Sequence, residues 1–200
     1  LFEGTAIGQV GQRVAAGIVT RFLELLAQLA RFARRRIEPV LGIAHPLTDL
    51  PNRRAFEEAY AAQAATGEKI CFAVCDIDHF KSVNDRFGHS VGDRVLKAIA
   101  DALSTACKGH LVARYGGEEF AILFAGVELE TARATLDTAR ATVAAKHYRL
   151  REDDAPLGEV TFSAGITLAR SEDRYHTLFQ RADQLLYAAK TAGRNCLRSD

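Results

Sequence analysis

The chain has 200 residues, 48% of them hydrophobic and 26% charged, with a formal net charge of +1. That length and content suit one domain with a real core plus a modest extension, and they exclude a disordered chain. The near-zero charge offers no global basic field, so no nucleic-acid partner is expected.

Residues 1–42 read as a helical leader. Ile18, Phe22, Leu25, Leu29 and Phe32 recur every three or four residues and share one stripe of a helix. Such a stripe packs back on the domain or pairs with its twin in a coiled coil. Arg34, Arg35 and Arg36 then read as a solvated helix end that complements the helix dipole, with a membrane or nucleic-acid patch as the lesser alternative. Arg21, Glu24 and Arg31 interrupt the apolar run, so no membrane span is expected. No basic segment precedes a short apolar core, so no signal peptide is read either. The chain contains no methionine, and it is expected to be a piece of something longer or to lack its first residues.

Pro39 and the GIAHP stretch end the leader, and a domain of residues 43–200 begins. RRAFEEAYAAQAA predicts an amphipathic helix with Asn52 as its N-cap. KICFAVCD predicts a short buried strand. VGDRVLKAIADALSTA predicts a helix, and LVARY and FAILF predict the two arms of a hairpin around a double glycine. ELETARATLDTARATVAAK predicts a helix, EVTFSAGITLA a strand, and YHTLFQRADQLLYAAKTAG a last helix capped by Gly193. Helices and strands interleave, so the fold class is α/β or α+β, a sheet with helices on its faces.

Cys71, Cys75, Cys107 and Cys196 show no CxxC spacing. Four strand residues separate Cys71 from Cys75 by ~13 Å, too far for a disulfide. Buried, reduced cysteines in a cytoplasmic protein are expected.

The stretch RYGGEEF, 114–120, sets two acids on the tip of a tight turn. Two glycines permit positive φ and let backbone approach a ligand closely. Glu118 and Glu119 repel one another unless a cation neutralises them. Hard oxygens on a rigid tip suit Mg²⁺, which takes one or two carboxylates plus substrate phosphate oxygens. CDIDHF places Asp76 and Asp78 just past the apolar strand, where α/β sheets usually carry ligand sites. If that strand pairs with the hairpin, Asp76 approaches Glu118, in the plan of two-metal phosphoryl transfer. Lys81, Lys190 and Arg194 are candidates to hold a triphosphate, although basic residues at a helix end are often only dipole partners. Asn84 and Asp93 flank FGHSVG; a carboxylate beside an amide can read a guanine edge, and turn or helix capping fits these two equally.

These residues resemble the GGDEF family of diguanylate cyclases, in the GGEEF form. The resemblance covers nearly all of 43–198 through LTDLPNRRAF, DIDHFKSVNDRFGHSVGD, RYGGEEF, FSAGIT and ADQLLYAAKTAGRN. It implies a fold similar to the palm of nucleotidyl cyclases and polymerases: a central, mostly antiparallel sheet flanked by helices. It implies condensation of two GTP into cyclic di-GMP across a homodimer, with Mg²⁺ or Mn²⁺, and an upstream sensor. Asp76, the Ile77 carbonyl, Glu118 and Glu119 would hold metal, with Glu118 as general base. Asn84 and Asp93 would read guanine and His89 would line the pocket. The backbone at His79 and Phe80, with Lys81, Lys190 and Arg194, would hold phosphates. A non-catalytic module that binds GTP or cyclic di-GMP is the alternative.

Two departures stand out. The family's RxxD product site is replaced here by CKGH, Cys107 to His110, so no inhibitory product site is expected. The family's usual DPLT reads HPLT here, with His45 in place of the aspartate that commonly pairs with the arginine at 114. Arg114 is therefore expected to lose its partner or to take an acid such as Asp49.

Overall fold

The computed structural model describes residues 44–150 and 155–200. The leader of residues 1–42, with its apolar stripe and the arginine run 34–36, lies outside the described residues.

Helix α1 (Arg53–Ala64) starts at the expected cap: the Asn52 side chain accepts from the Ala55 amide at 3.1 Å, which satisfies one orphan donor of the first turn. Strand β1 (Ile70–Ile77) is buried along its whole length. Its side chains alternate between two cores. Cys71, Ala73, Cys75 and Ile77 point into one, and Ile70, Phe72 and Val74 into the other. Burial on both faces is why this strand reads as one continuous apolar run.

Helices α2 (Phe80–Phe87) and α3 (His89–Ala106) follow, separated by Gly88 alone at φ 82. The sequence pattern assigned no helix to 80–87 and began the next one at Val91. Asn84 and Asp93 therefore lie inside helices, not in a turn or a cap. The reason is Gly88: its left-handed backbone breaks the chain for one residue only, and the second helix restarts at once.

Strands β2 (Leu111–Arg114) and β3 (Glu119–Ala125) form the predicted hairpin. Helix α4 (Leu129–Ala144) follows. A small ribbon of β4 (Tyr148–Arg149) and β5 (Pro156–Gly158) was not legible beforehand. Strand β6 (Phe162–Leu168) and helix α5 (Tyr175–Thr191) occupy their predicted segments. Ala192 is the cap of α5, and Gly193, one residue beyond it at φ 109, reverses the chain. A short strand β7 (Leu197–Ser199) closes the domain.

The sheet runs β2-β3-β1-β6-β7, antiparallel except for β6 with β7. Leu96, Ile99 and Leu103 of α3 and Leu136 of α4 cover one face. Phe56 and Tyr60 of α1 and Leu178 and Leu186 of α5 cover the other. This is the expected mostly antiparallel sheet flanked by helices. Helix α5 lies unusually close to β6: a β-carbon on Gly165 would overlap the Ala182 carbonyl oxygen and the Leu186 amide nitrogen.

All four cysteines are free. Cys71, Cys75 and Cys107 are buried as expected, whereas Cys196 is only half-buried. Among the described residues no helix is long and apolar enough to cross a membrane.

Candidate functional site

The register of the sheet assembles the acids. Asp76, next to last in β1, lies opposite Glu119 on one side and Ser163 on the other. The Ile77 amide reaches the Glu118 carbonyl at 3.4 Å. The strand pairs with the hairpin, so the strand end and the hairpin tip meet, the condition on which the approach of Asp76 to Glu118 was expected. Asp76 is 7% exposed and pairs with Lys190 Nζ at 2.8 Å. Lys190 comes from the last turn of α5, where a cation also complements the helix dipole.

The electrostatics follow from crowding. Burial pushes the Asp76 carboxyl up, and Lys190 and Arg194 draw it back. Burial and then the Asp76 charge push Glu118 up. Glu119 rises through burial, then through Asp76 and Asp183. Among the described residues one ammonium, Lys190, pairs with these acids, which leaves a surplus of negative charge on hard oxygens. Among the described residues no three His, Cys, Asp or Glu side chains converge as a ready cage. A Mg²⁺ that takes one or two carboxylates and completes its shell with phosphates and water needs none. Asp76, Glu118, Glu119 and the Ile77 carbonyl fit that requirement.

The double glycine serves space, not left-handed backbone. Neither Gly116 nor Gly117 has positive φ, contrary to the sequence expectation. A β-carbon on Gly116 would stand 2.6 Å from Glu119 Oε2, while one on Gly117 would meet nothing within 4 Å. Gly116 makes room for the carboxylate, and Gly117 leaves the tip open. The Tyr115 and Gly116 amides both donate to the Glu119 carbonyl, at 2.8 and 3.2 Å.

Arg114 holds this turn from beneath. It is 8% exposed. Its Nη2 donates to the Gly117 carbonyl at 2.6 Å, and its Nε to the Gly116 carbonyl at 3.3 Å. Its Nη1 lies 3.1 Å from His45 Nδ1, which also accepts from the Leu47 amide at 3.2 Å. With two donors aimed at it, Nδ1 is the acceptor, and the neutral ring carries its proton on Nε2. Burial, then the Arg114 charge, lowers the His45 pKa. Arg114 is thus neither orphaned nor transferred to Asp49: the imidazole accepts where the family's aspartate would.

The second cluster lies on α2 and α3. A β-carbon on Gly92 would overlap Asn84 Oδ1 and stand 3.2 Å from the Phe80 ring, so the missing methyl seats the amide. Asn84 Oδ1 is buried and has no hydrogen-bond partner. Asp93, one residue past Gly92, is exposed, and its charge acts on Arg114. His89 is exposed at the first residue of α3. His79, at φ 55 and exposed, and Lys81, also exposed, stand where α2 begins, while Phe80 between them is buried. Arg194 is exposed at φ 66.

The sequence pattern missed two supports. Tyr115 stacks on Phe179 with ring centroids 5.0 Å apart, under the Arg53 guanidinium. Asp78, which the pattern grouped with Asp76, is buried and hydrogen-bonded to Thr161 and Ser163. A run of alternating polar and apolar residues after Glu159 carried the only hint of it. At the position of the family's RxxD, Cys107 is buried and burial pushes its thiol up to about 11. The His110 ring packs on Phe124 with centroids 4.8 Å apart.

The profile of the family described as diguanylate cyclase, GGDEF domain, matches residues 44–196. A diguanylate cyclase of Pseudomonas aeruginosa, DgcP, is 43% identical over 161 residues, which is 78% of this chain and 24% of that protein. Another of Vibrio cholerae, VdcA, is 37% identical over 150 residues, 74% of this chain and 44% of that one. The chain therefore spans less than half the length of these curated relatives. Among solved structures, the GGDEF domain of DgcB from Caulobacter crescentus in complex with c-di-GMP superposes with a TM-score of 0.75 at 37% identity, covering 79% of this chain and 93% of that one.

Proposed function

The chain belongs to the GGDEF family of diguanylate cyclases, and on that premise we propose that it condenses two GTP into cyclic di-GMP and two pyrophosphates as a homodimer. The observation that carries this reading is the register that sets Asp76 opposite Glu119, with Glu118 beside them and Lys190 on Asp76. In each half-reaction the 3′-oxygen of one GTP attacks the α-phosphorus of the other. A new P–O bond forms, the bond to the bridging oxygen breaks, and pyrophosphate leaves.

Glu118 accepts the proton of the 3′-hydroxyl. Its raised pKa brings it nearer to the operating pH of a general base. Asp76, the Ile77 carbonyl, Glu118 and Glu119 would hold Mg²⁺ or Mn²⁺, which would lower the hydroxyl pKa and offset charge on the leaving group. Lys190 turns from Asp76 to the phosphates when substrate arrives, and Lys81, Arg194 and the His79–Phe80 backbone complete their binding. Asp93 accepts from the guanine ring N–H and exocyclic amine, beside Asn84, whose buried Oδ1 lacks a partner. His89 lines the same pocket. One domain carries one GTP, so the reaction joins two copies, and an upstream sensor would set how they meet. With Cys107 in the core and His110 against Phe124, no inhibitory product site is assigned at 107–110.

The test is to incubate the chain with GTP and Mg²⁺ at several protein concentrations and separate the nucleotides by chromatography. Cyclic di-GMP formed at a rate that rises faster than linearly with protein is expected. Glu118→Gln should lower that rate about a thousandfold. GTP bound without any product would favour a non-catalytic binding module.

A further inference from the structure

Asp78 follows Asp76 by two residues, yet the scheme above gives it no part. It is 6% exposed, and both of its oxygens are engaged. Oδ1 accepts from Ser163 Oγ at 2.8 Å. Oδ2 accepts from Thr161 Oγ1 at 2.7 Å and from the backbone amide of Asn195 at 3.0 Å. Its own amide donates to the Thr161 carbonyl at 2.9 Å.

The Asn195 bond is the informative one. Gly193, Arg194 and Asn195 have φ of 109, 66 and 45. Three successive residues in the left-handed region, two of them with side chains, keep that conformation only when the surroundings impose it. Asp78 imposes it from the sheet. Arg140 imposes it from α4, donating to Asn195 Oδ1 at 2.8 Å and to the Asn195 carbonyl at 3.3 Å. The turn so held carries Arg194, whose charge acts on Asp76, and it closes the helix that carries Lys190.

We propose that Asp78 is a positioning residue for the triphosphate: its carboxylate, hydrogen-bonded to the Asn195 amide, fixes the turn 193–195 and so holds Arg194 and Lys190 at the phosphate end of the site. The assignment of phosphates to that end rests on the cyclase reading. Two neighbouring aspartates thus divide the work. Asp76 faces the cations, and Asp78 places two of them.

Asp78→Ala separates this role from a general structural one. Two readouts are taken on the full chain: amide hydrogen exchange across 193–196, and calorimetric affinity for GTP against guanosine, both with Mg²⁺. Loss of a charge-assisted bond should speed exchange there about tenfold or more and weaken GTP by about tenfold, with guanosine changed less than about twofold. GTP and guanosine weakened equally, or exchange unchanged, would overturn the proposal. If Asp78→Ala does not fold, Thr161→Val removes one bond that orients the carboxylate. The same pattern at about two- to threefold is then expected, and its absence overturns the proposal as well. Wild-type protein that binds no GTP would sink the cyclase reading and the phosphate role together. The exchange result would still decide whether Asp78 holds the turn.

Discussion

Two short connections flank the acids of the site, and they are held in opposite ways. The hairpin turn 115–118 presents carbonyls inward, and a buried cation, Arg114, donates to those of Gly116 and Gly117. The turn after α5 presents an amide inward, and a buried anion, Asp78, accepts from Asn195. In each case the fixed charge opposes the exposed end of the backbone dipole, and a charge-assisted bond is stronger than a neutral one. The partners behind the two charges differ. Asp78 leans on two hydroxyls, which do not titrate in the ordinary range, whereas Arg114 leans on an imidazole, which does. The hydroxyls behind Asp78 therefore bring no titration of their own, and the imidazole behind Arg114 gives the hairpin turn a built-in sensitivity to acid.

The largest expected effect comes from removing the cation. Arg114→Ala removes a buried side chain together with its bonds to the Gly116 and Gly117 carbonyls and to His45, so a loss of about 2–4 kcal/mol is expected in urea unfolding. Turnover should fall with it, because the glycine tip carries Glu118.

A smaller change tests the titratable partner. The folded pKa of His45 lies below its ordinary 6.5. As pH falls below that value the unfolded chain takes the proton first, so native stability declines with acid until the folded ring protonates too. His45→Asp should remove this share of the decline and add about 1 kcal/mol at neutral pH by giving Arg114 an anion. To isolate His45, the reading is the difference between variant and parent in urea midpoints at pH 8 and pH 5.5. A difference that does not vary with pH would break the contrast between the turns.

The smallest effect concerns what the turns surround. Glu119 has a folded pKa above its ordinary 4.5. As pH rises from that value the unfolded chain releases its proton first, so the folded state loses stability toward neutral pH. Glu119→Gln should therefore raise the melting temperature of nucleotide-free protein by a few degrees at pH 7. The gain should shrink near pH 4, where both forms are neutral.

Much of this was legible beforehand, for physical reasons that can be named. The central strand showed as an unbroken apolar run because both its faces are covered. The hairpin showed because two glycines interrupt two apolar arms. Asp76 and Glu118 could be paired by reasoning about strand ends alone. The helix at 80–87 stayed hidden because it is only eight residues long: Phe80, Val83 and Phe87 share one face and pack on the core, but Gly88 ends the stripe after two turns. The role of Gly116 was misread because a glycine needed for a neighbour's carboxylate looks the same in sequence as one needed for φ. The partner of Arg114 was missed because an imidazole is usually counted as a cation, and here burial keeps it neutral. Asp78's link to Asn195 spans more than a hundred residues, and no local pattern carries such a contact.

Gly165 has a reach beyond the core in which it sits. The absent methyl lets α5 rest directly on the backbone of β6, and the same helix delivers Lys190 to Asp76. The thickness of one packing layer thus works as a ruler for an ion pair at the helix's far end. Adding a single carbon at 165 would lift the helix like a shim under a lever. The change would register most sharply as a gap between an ammonium and a carboxylate, far from position 165 but joined to it by one rigid rod.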